Sequence, residues 1–315
     1  MNNSINTNTN AMTALQSLNQ TNKMLSETQN AIATGFKVAS ASDNAAYWSI
    51  ATTMRSDNKA LGTVQDALGL GSAKVDIASS GLESSIEVVS EIKAKLVAAR
   101  EPGVDKTKVQ SEIDELKNQL SSIAESSSFN GVNWLQNDTA ASAGTAQIVG
   151  SFSRAANGTV GVSTIDIDVS SFTLIGTDDE NLGLLTNTVN VSTGQNFRLI
   201  DVTGETTSAT GTVIAVDGTT TDAALDNMIQ AVDTIIDSMT DAAADLGSAK
   251  SRVDLQKDFV SKLMDSIDSG ISALVDADLS EESTKLQALQ AQQQLGIQAL
   301  SIANSNGQNL LSLFR

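Results

Sequence analysis

Two sets of apolar residues recur every seven positions, one toward each end of the chain. The first is Tyr47, Met54, Leu61, Leu68, Val75, Leu82, Val89 and Leu96; the second is Leu225, Val232, Met239, Leu246, Val253, Val260, Ile267 and Leu274. In a chain that is 40% apolar, chance gives one such eight-member run about 0.2 times over roughly 260 starting positions. Two runs therefore mark long helices that each bury a narrow stripe. The spacing predicts helices over about 44–100 and 222–271, roughly 85 and 75 Å long at about 1.5 Å per residue. Stripes this long cannot be buried inside a compact globule. Each needs a partner helix of similar length, from the same chain or from a neighbour. The second seam position of the first helix holds Ile50, Val64, Ala78, Ile92 and Ala99, but also Asp57, Gly71 and Ser85. Small residues there admit close approach of a partner. Gly62, Gly69, Gly71 and Gly81 each cost about 1 kcal/mol against alanine, and they predict kinks, with a break near Gly69–Gly71.

Three further helices are weaker. One runs from about Ala11 to Ala33, with Leu18, Leu25 and Ile32 at heptad spacing and polar Thr21, Asn22, Thr28 and Gln29 at the other seam positions. A second follows the Pro102-Gly103 turn, over about 105–126, with Val109, Ile113, Leu116, Leu120 and Ile123 on one face. The third follows a joint at Asp276-Ala277-Asp278 and runs over about 280–313. Its seam holds Leu286, Leu289, Leu300, Ala303 and Leu310, completed by Gln293, Gly296 and Gly307. The two terminal helices have faces too poor in apolar surface to offset the cost of ordering them alone. Another copy of the chain is where their burial is expected. Between the helices, Asp43 or Ser42 is placed to cap the first long helix, and Asn130-Gly131 offers a tight turn. From 137 to 220 the composition shifts to Thr, Ser, Val and Gly. Short strands are predicted at 147–152, 159–168, 195–202 and 210–216, with turns at Asn157-Gly158 and Asp217-Gly218.

Composition narrows the function. The 315 residues carry 37 acidic and 19 basic side chains, a net charge of −18. That argues against nucleic acid as a partner, since phosphate contacts need a basic face, and against docking on an anionic membrane. No apolar run is long enough for a transmembrane helix, and the Asn/Thr-rich start does not read as a cleavable signal peptide. There is no Cys and no His. Disulfides, thiol nucleophiles, histidine bases and the common zinc sites are thereby excluded. No catalytic, cofactor-binding or metal residues are assigned. Asp178-Asp179-Glu180 is read as a solvated loop because no ligand spacing accompanies it. Asn157-Gly158-Thr159 fits a glycosylation pattern that is common by chance. One proline and 3% aromatic residues suit narrow helical seams better than a large core.

The ends of the chain carry an ordered set of motifs. At the N-terminus these are Ile5-Asn6-Thr7-Asn8, Thr34-Gly35, Lys37-Val38, Ser40-Ala41-Ser42-Asp43-Asn44-Ala45-Ala46, Ile50-Ala51, Glu112-Ile113 and Phe129-Asn130-Gly131. Toward the C-terminus they are Leu246-Gly247 with Arg252, Asp276-Ala277-Asp278, Glu282, Gln293-Gln294, Gly296, Leu300, Ala303-Asn304, Gln308-Asn309 and Leu311-Ser312-Leu313-Phe314-Arg315. This set closely resembles bacterial flagellin over about 1–135 and 222–315. Ala46-Tyr47-Trp48 and the last four residues resemble the α-proteobacterial branch. The middle matches nothing in particular, as expected of the family's variable outer region.

The resemblance implies a mainly α fold: a long antiparallel helical coiled-coil rod formed by both chain ends, with a small central β-rich insert. It implies an inner D0 domain from 1–40 and 275–315, a D1 shell from 41–136 and 221–274, and a variable outer region over 137–220. The two heptad runs become the D1 seam, and Leu18, Leu25, Ile32, Leu286, Leu289, Leu300, Ala303 and Leu310 become the D0 packing. The implied function is a subunit that polymerises into the helical flagellar filament, outside the cell. Export is expected unfolded, through the flagellar type III apparatus. The expected partners are further copies or mixed flagellins, an export chaperone, and the cap and hook-junction proteins, with no membrane insertion and no cofactor. Weak termini without disulfides suit a chain that is threaded and then ordered by neighbours. A hook–filament junction protein is the alternative within the superfamily; an enzyme carried on the insert is the alternative outside it. Two departures from the family concern immune recognition. Ser90-Glu91-Ile92 stands where flagellins sensed by the animal flagellin receptor carry Leu-Gln-Arg, so weak activation is expected. Asn44, Tyr47 and Trp48 depart from the pattern sensed by plants within Asn30–Ala51.

Overall fold

The structure, a computed structural model, describes residues 8–137, 144–155, 157–177, 180–191, 194–202 and 211–312, without side-chain detail at 180 and 306–312. The chain divides into two compact units. One is built from the chain ends, up to Lys59 and from Met264 onward; the other is Ala60–Leu263. Five helices dominate: α1 (Thr9–Thr34), α2 (Ala45–Ala98), α3 (Lys106–Ser126), α4 (Asp222–Val275) and α5 (Leu279–Ser312). Helices α2 and α4 contribute to both units.

In the terminal unit, local chemistry sets the helix ends. The Asn8 side chain caps α1 by accepting from the Ala11 N–H at 3.0 Å. Gly35, at φ +75°, closes α1 with its N–H on Ala31 O, a left-handed cap that a side chain would strain. Asp278 caps α5 by accepting from the N–H groups of Ser280 and Glu281. Helices α1 and α5 pair antiparallel: Asn8 Nδ2 donates to Ala303 O at 2.9 Å, and Gln293 Nε2 to Asn22 Oδ1 at 2.8 Å. At the joint the backbone itself pairs. The N–H groups of Lys37 and Val38 donate to Val275 O, and that of Ala277 donates to Gly35 O. Beside it sits a small core of Val38, Ala51, Ile271 and Val275, with Met54, Ile267 and Leu274 packed on it.

In the second unit α2 and α4 run antiparallel. Asp76, Lys93 and Arg100 on α2 pair with Lys250, Asp233 and Asp226 on α4. Each step up α2 is matched residue for residue by a step back along α4, so the register does not slip. Helix α3, capped by Asp105, is tied to α2 by Lys95–Glu112 at 2.6 Å. Its C-terminus is closed by Asn133 Nδ2, which donates to Ala124 O at 2.6 Å. Between α3 and Asn133 lies a hairpin of β1 (Ser128–Phe129) and β2 (Val132–Asn133). Its turn is Asn130-Gly131, with both φ positive, the two-residue geometry that suits the twist of paired strands.

The insert follows. β3 (Gln136–Asn137) pairs in parallel with β6 (Ile175–Gly176). β4 (Thr145–Arg154) and β5 (Val160–Asp168) form a long antiparallel hairpin with a register shift between Val149 and Ser151. β7 (Val189–Asn190), β8 (Asn196–Arg198) and β9 (Thr212–Val213) make a small mixed sheet. Its core is Trp134 against Phe172, ring centroids 6.2 Å apart, with Leu135, Leu174, Leu185 and Leu199 fully buried. β3, β6 and β7 were not expected from the sequence, and β8 and β9 are much shorter than the 195–202 and 210–216 expected. The Leu-containing stretches around 174 and 185 fold as irregular buried backbone, so period-two alternation never develops in them.

The expected break at Gly69–Gly71 is absent: α2 is continuous. Two of its glycines are sites of close approach. A Cβ on Gly71 would stand 2.5 Å from Ile148 Cγ2 of β4, and one on Gly81 would stand 2.6 Å from Leu135 Cδ1, whereas Gly69 has open space. The expected outcomes therefore have opposite signs. Gly69→Ala should stabilise by up to about 1 kcal/mol through helix propensity. Gly71→Ala and Gly81→Ala should destabilise by about 1–3 kcal/mol through overpacking. Chemical denaturation reads both, and a Gly71→Ala protein as stable as Gly69→Ala would sink the close-approach account.

Candidate assembly surfaces

The heptad seam is buried unevenly. In the second unit Leu61, Leu68, Val75, Leu82, Val89 and Leu96, with Leu225, Val232, Met239, Leu246, Val253 and Val260, are all at most 2% exposed. Burying each such side chain contributes about 1.5–3 kcal/mol. Second-seam residues Val64, Ala78, Ser85, Ile92 and Ala99 of α2 are buried with them, as are Met228, Ile235 and Ala242, each three residues beyond a run member on α4. The ion pairs along this seam are about half exposed, so each adds at most about 1 kcal/mol and chiefly fixes register.

In the terminal unit the seven-residue repeat fails. Tyr47 is 44% exposed, and Ala51 is buried in its place. Met54, Ile267 and Leu274 are only half-buried, while Ile271 and Val275 are buried. There the helices meet a different partner: Val38, from the loop after α1, packs with Ala51, Ile271 and Val275, so the buried stripe leaves the seven-residue run. On α3, Ala124 is buried where Ile123 was expected.

The α1–α5 pair has a different character. Residues 11, 14, 18, 21, 25, 28 and 32 of α1, and 282, 286, 289, 293, 296, 300 and 303 of α5, turn inward in strict three–four alternation. Yet Leu18, Leu25, Ile32, Leu286, Leu300 and Ala303 are only half-buried, and Leu289 alone of the expected D0 set is fully buried. The side chain of Leu310 lies outside the described residues. The buried residues of α1 are Thr21 and Thr28. Their small size, with Gly296 facing Leu18 (a Cβ there would be 3.2 Å from Leu18 Cδ1), lets the helices come close. Large apolar residues face outward instead: Met12, Leu15, Leu295, Ile297 and Ile302 are 50–63% exposed.

Phe36, Tyr47, Trp48 and Ile50 are further exposed large apolar residues within Asn30–Ala51, with Arg55 stacked 5.3 Å from the Phe36 ring. Ser90 and Glu91 are exposed, but Ile92 is fully buried. Asp178 and Asp179 lie outside the described residues, as does the side chain of Glu180. Asn157 sits at the β4–β5 turn, where its side chain accepts from the Thr159 N–H at 3.0 Å.

Electrostatics serve structure throughout. Hydrogen bonds from the Ser40 backbone and hydroxyl hold the Asp43 carboxyl below its usual range, which fixes the 39–43 turn. Hydroxyl bonds from Thr219 and Thr220 do the same for Asp217 ahead of α4. Burial pushes the Lys117 ammonium down while it donates to Ile214 O. Among the described residues no group of three or more Asp or Glu side chains is placed to hold a metal ion, and no helix is long and apolar enough to cross a membrane.

A subunit with one self-sufficient seam and a second helix pair that buries threonine while exposing leucine and methionine is built to assemble with others. Comparison with known proteins agrees. The family described as bacterial flagellin N-terminal helical region matches residues 5–140, and the C-terminal helical region matches 229–314. Flagellin C of Rhizobium meliloti (strain 1021) is 53% identical, with 99% of each chain covered. Flagellin A of the same strain is 46% identical over 99% of this chain and all of that one, and Brucella melitensis flagellin is 42% identical over 99% of each. Bacillus cereus flagellin, a crystal structure, covers 63% of this chain and 88% of its own at 19% identity and a TM-score of 0.38, too distant to add to the fold described. The chain belongs to the bacterial flagellin family, of the α-proteobacterial type. It is a structural subunit of the extracellular flagellar filament and not an enzyme; the junction-protein alternative is not favoured.

The uneven seam has a direct consequence. Leu82→Ala should cost about 2–5 kcal/mol by opening a cavity in a filled core. Tyr47→Ala, at an exposed position, should change stability by less than about 1 kcal/mol. Equal losses for the two in denaturant melts of the monomer would contradict this division of the run.

Proposed function

We propose that the α1–α5 pair is the inner, D0 part of the subunit and becomes fully ordered only against neighbouring copies in the filament. D0 is assigned to 1–40 and 275–315, D1 to 41–136 and 221–274, and the outer region to 137–220. The observation that carries this reading is the inverted face of α1. A helix that buries Thr21 and Thr28 while leaving Met12 and Leu15 in water gains little apolar burial from α5 alone. Exposed leucine and isoleucine on α5 repeat the pattern. Clustered exposed apolar surface of this kind marks interaction sites, and here the partner is another copy, self or a mixed flagellin. The α2–α4 seam, by contrast, is filled within one chain and gives D1 its stability.

The chain crosses the flagellar type III apparatus unfolded, meets an export chaperone on the way, and is placed between hook-junction and cap proteins. Support for this comes from family membership and from a chain with no cysteine and a single proline. No disulfide has to form before or after passage.

Hydrogen exchange on monomer and on seeded filaments tests the ordering. Residues 9–34 and 279–312 should exchange fast in the monomer and slowly in the filament, while the second unit's α2 and α4 stay protected in both. Full protection of the terminal helices in the monomer would refute it.

A second reading concerns immune recognition. Glu91 lines a groove with Glu112, Glu115 and Lys95, an acidic surface where sensed flagellins present arginine. Monomer is expected to activate the animal flagellin receptor weakly in a reporter assay, and a response equal to that of a strongly sensed flagellin would overturn this reading.

A further inference from the structure

The outer insert joins the helices at two points, and α3 holds both. At the departing joint Asn133 Nδ2 donates to Ala124 O. At the returning joint the segment 214–220 lies along the first half of α3. Ile214 and Val216 are at most 2% exposed, while Ala215 between them is exposed, the alternation of a half-buried strand. The sheet reaches only the start of this segment. β9 ends with Val213 opposite Arg198, and the Ile214 N–H donates to Arg198 O at 2.9 Å. The two buried side chains then draw the backbone inward with no further strand beside it among the described residues. Buried N–H and C=O groups need partners.

Three side chains of α3 supply them. Lys117 Nζ donates to Ile214 O, Gln110 Oε1 accepts from the Val216 N–H at 2.6 Å, and Lys106 Nζ donates to Thr220 O at 2.6 Å. At about 100° per residue these three positions fall within about 40° of one another around the helix. From 106 to 117 the helix rises about 16 Å, and an extended path from 214 to 220 spans at most about 20 Å. The segment therefore runs antiparallel along one stripe of α3. Asp114, on the same helix, accepts from Gln110 Nε2 at 2.7 Å, which turns the amide oxygen toward Val216. The 217–220 turn closes on itself: Asp217 Oδ1 accepts from the Thr219 N–H and from the hydroxyls of Thr219 and Thr220. Lys106 ties that turn to α3.

We infer that 214–220 is a strap that α3 fastens and releases as a unit, so that the insert opens at its returning joint while the α2–α4 seam stays closed. The difference in chemistry carries the inference. The seam is closed by apolar burial along its length. The strap is fastened by three bonds from side chains to main chain, with only Ile214 and Val216 buried beneath it. Segments with few buried apolar contacts open at lower free energy than the core elements beside them. The departing joint shares none of these three bonds, so an open strap leaves the insert attached to α3 through Asn133, as on a hinge. The device belongs to the single chain and is independent of polymerisation.

Hydrogen exchange read by mass spectrometry on the full-length monomer tests the strap. In the unmodified protein at low denaturant, amides of 212–220 should exchange through an opening that leaves 61–96 and 225–260 protected. Gln110→Leu and Lys117→Met, made singly, should each speed exchange of 212–220 about tenfold, with the seam unchanged. Asp114→Ala should act in the same direction by a smaller factor. Gln119→Leu, at an exposed position on the opposite side of α3, should leave exchange of 212–220 as it was. Exchange of 212–220 only together with the seam in the unmodified protein would overturn the inference. So would unchanged exchange in both Gln110→Leu and Lys117→Met, or acceleration spread evenly over α2, α3 and α4, which would make these side chains general supports of the fold. The measurement on the unmodified protein decides the question even where a variant fails to fold. Failure to form filaments would count against the polymerisation reading and leave the strap standing.

Discussion

The structure depends on one interface, the antiparallel seam between α2 and α4. Twelve heptad residues there, from Leu61 to Leu96 and from Leu225 to Val260, are removed from water almost completely. Among the described residues no other contact combines that length with that burial. The three flanking ion pairs contribute little energy because they are half exposed, but they are unforgiving about register. A slip by one residue would set Lys93 beside Val232 or Thr234 on α4 and rotate the whole stripe out of the interface. The seam also provides the surface on which the insert is laid. Gly71 and Gly81 leave room on α2 for Ile148 and Leu135 to reach the helix backbone, so two residues that weaken the isolated helix strengthen its packing.

The α1–α5 pair obeys the same heptad geometry with a poorer face. Its inward positions mix leucine and isoleucine, mostly half-buried, with alanine, threonine, glutamine and glycine. The small and polar members allow close approach and a few specific bonds, as between Gln293 and Asn22, but they release little water from apolar surface. Its outward positions carry further methionine, leucine and isoleucine in water. One chain thus carries a seam filled within itself and a helix pair that leaves much of its apolar surface exposed.

Much of this was legible in the sequence. Five helices, the Asn130-Gly131 turn, the Asp105 and Asp278 boundaries and the β-rich insert follow from periodicity, capping and turn chemistry. The family was legible from short ordered motifs at the two ends. The departures have separate causes. Heptad counting assumes one partner along a whole helix, and near the chain ends the stripe moves on to Ala51, Ile271 and Val275, which pack with Val38 of the loop after α1, leaving Tyr47 outside. Ile92, read as a receptor-recognition position from the resemblance, is buried, as its place on the second seam already indicated. The strands at 136–137, 175–176 and 189–190 were missed because each is two residues long and is defined by its partner.

What the sequence determined by itself is the set of long helices, their narrow seams and the absence of cysteine and histidine chemistry, since these depend on local spacing and side-chain type. Only the tertiary structure decided which members of each run are buried and that Gly71 and Gly81 of α2 receive neighbours. Those outcomes depend on where residues far apart in the chain come to stand. Spacing along one helix fixes a face, but the partner fixes whether that face is filled.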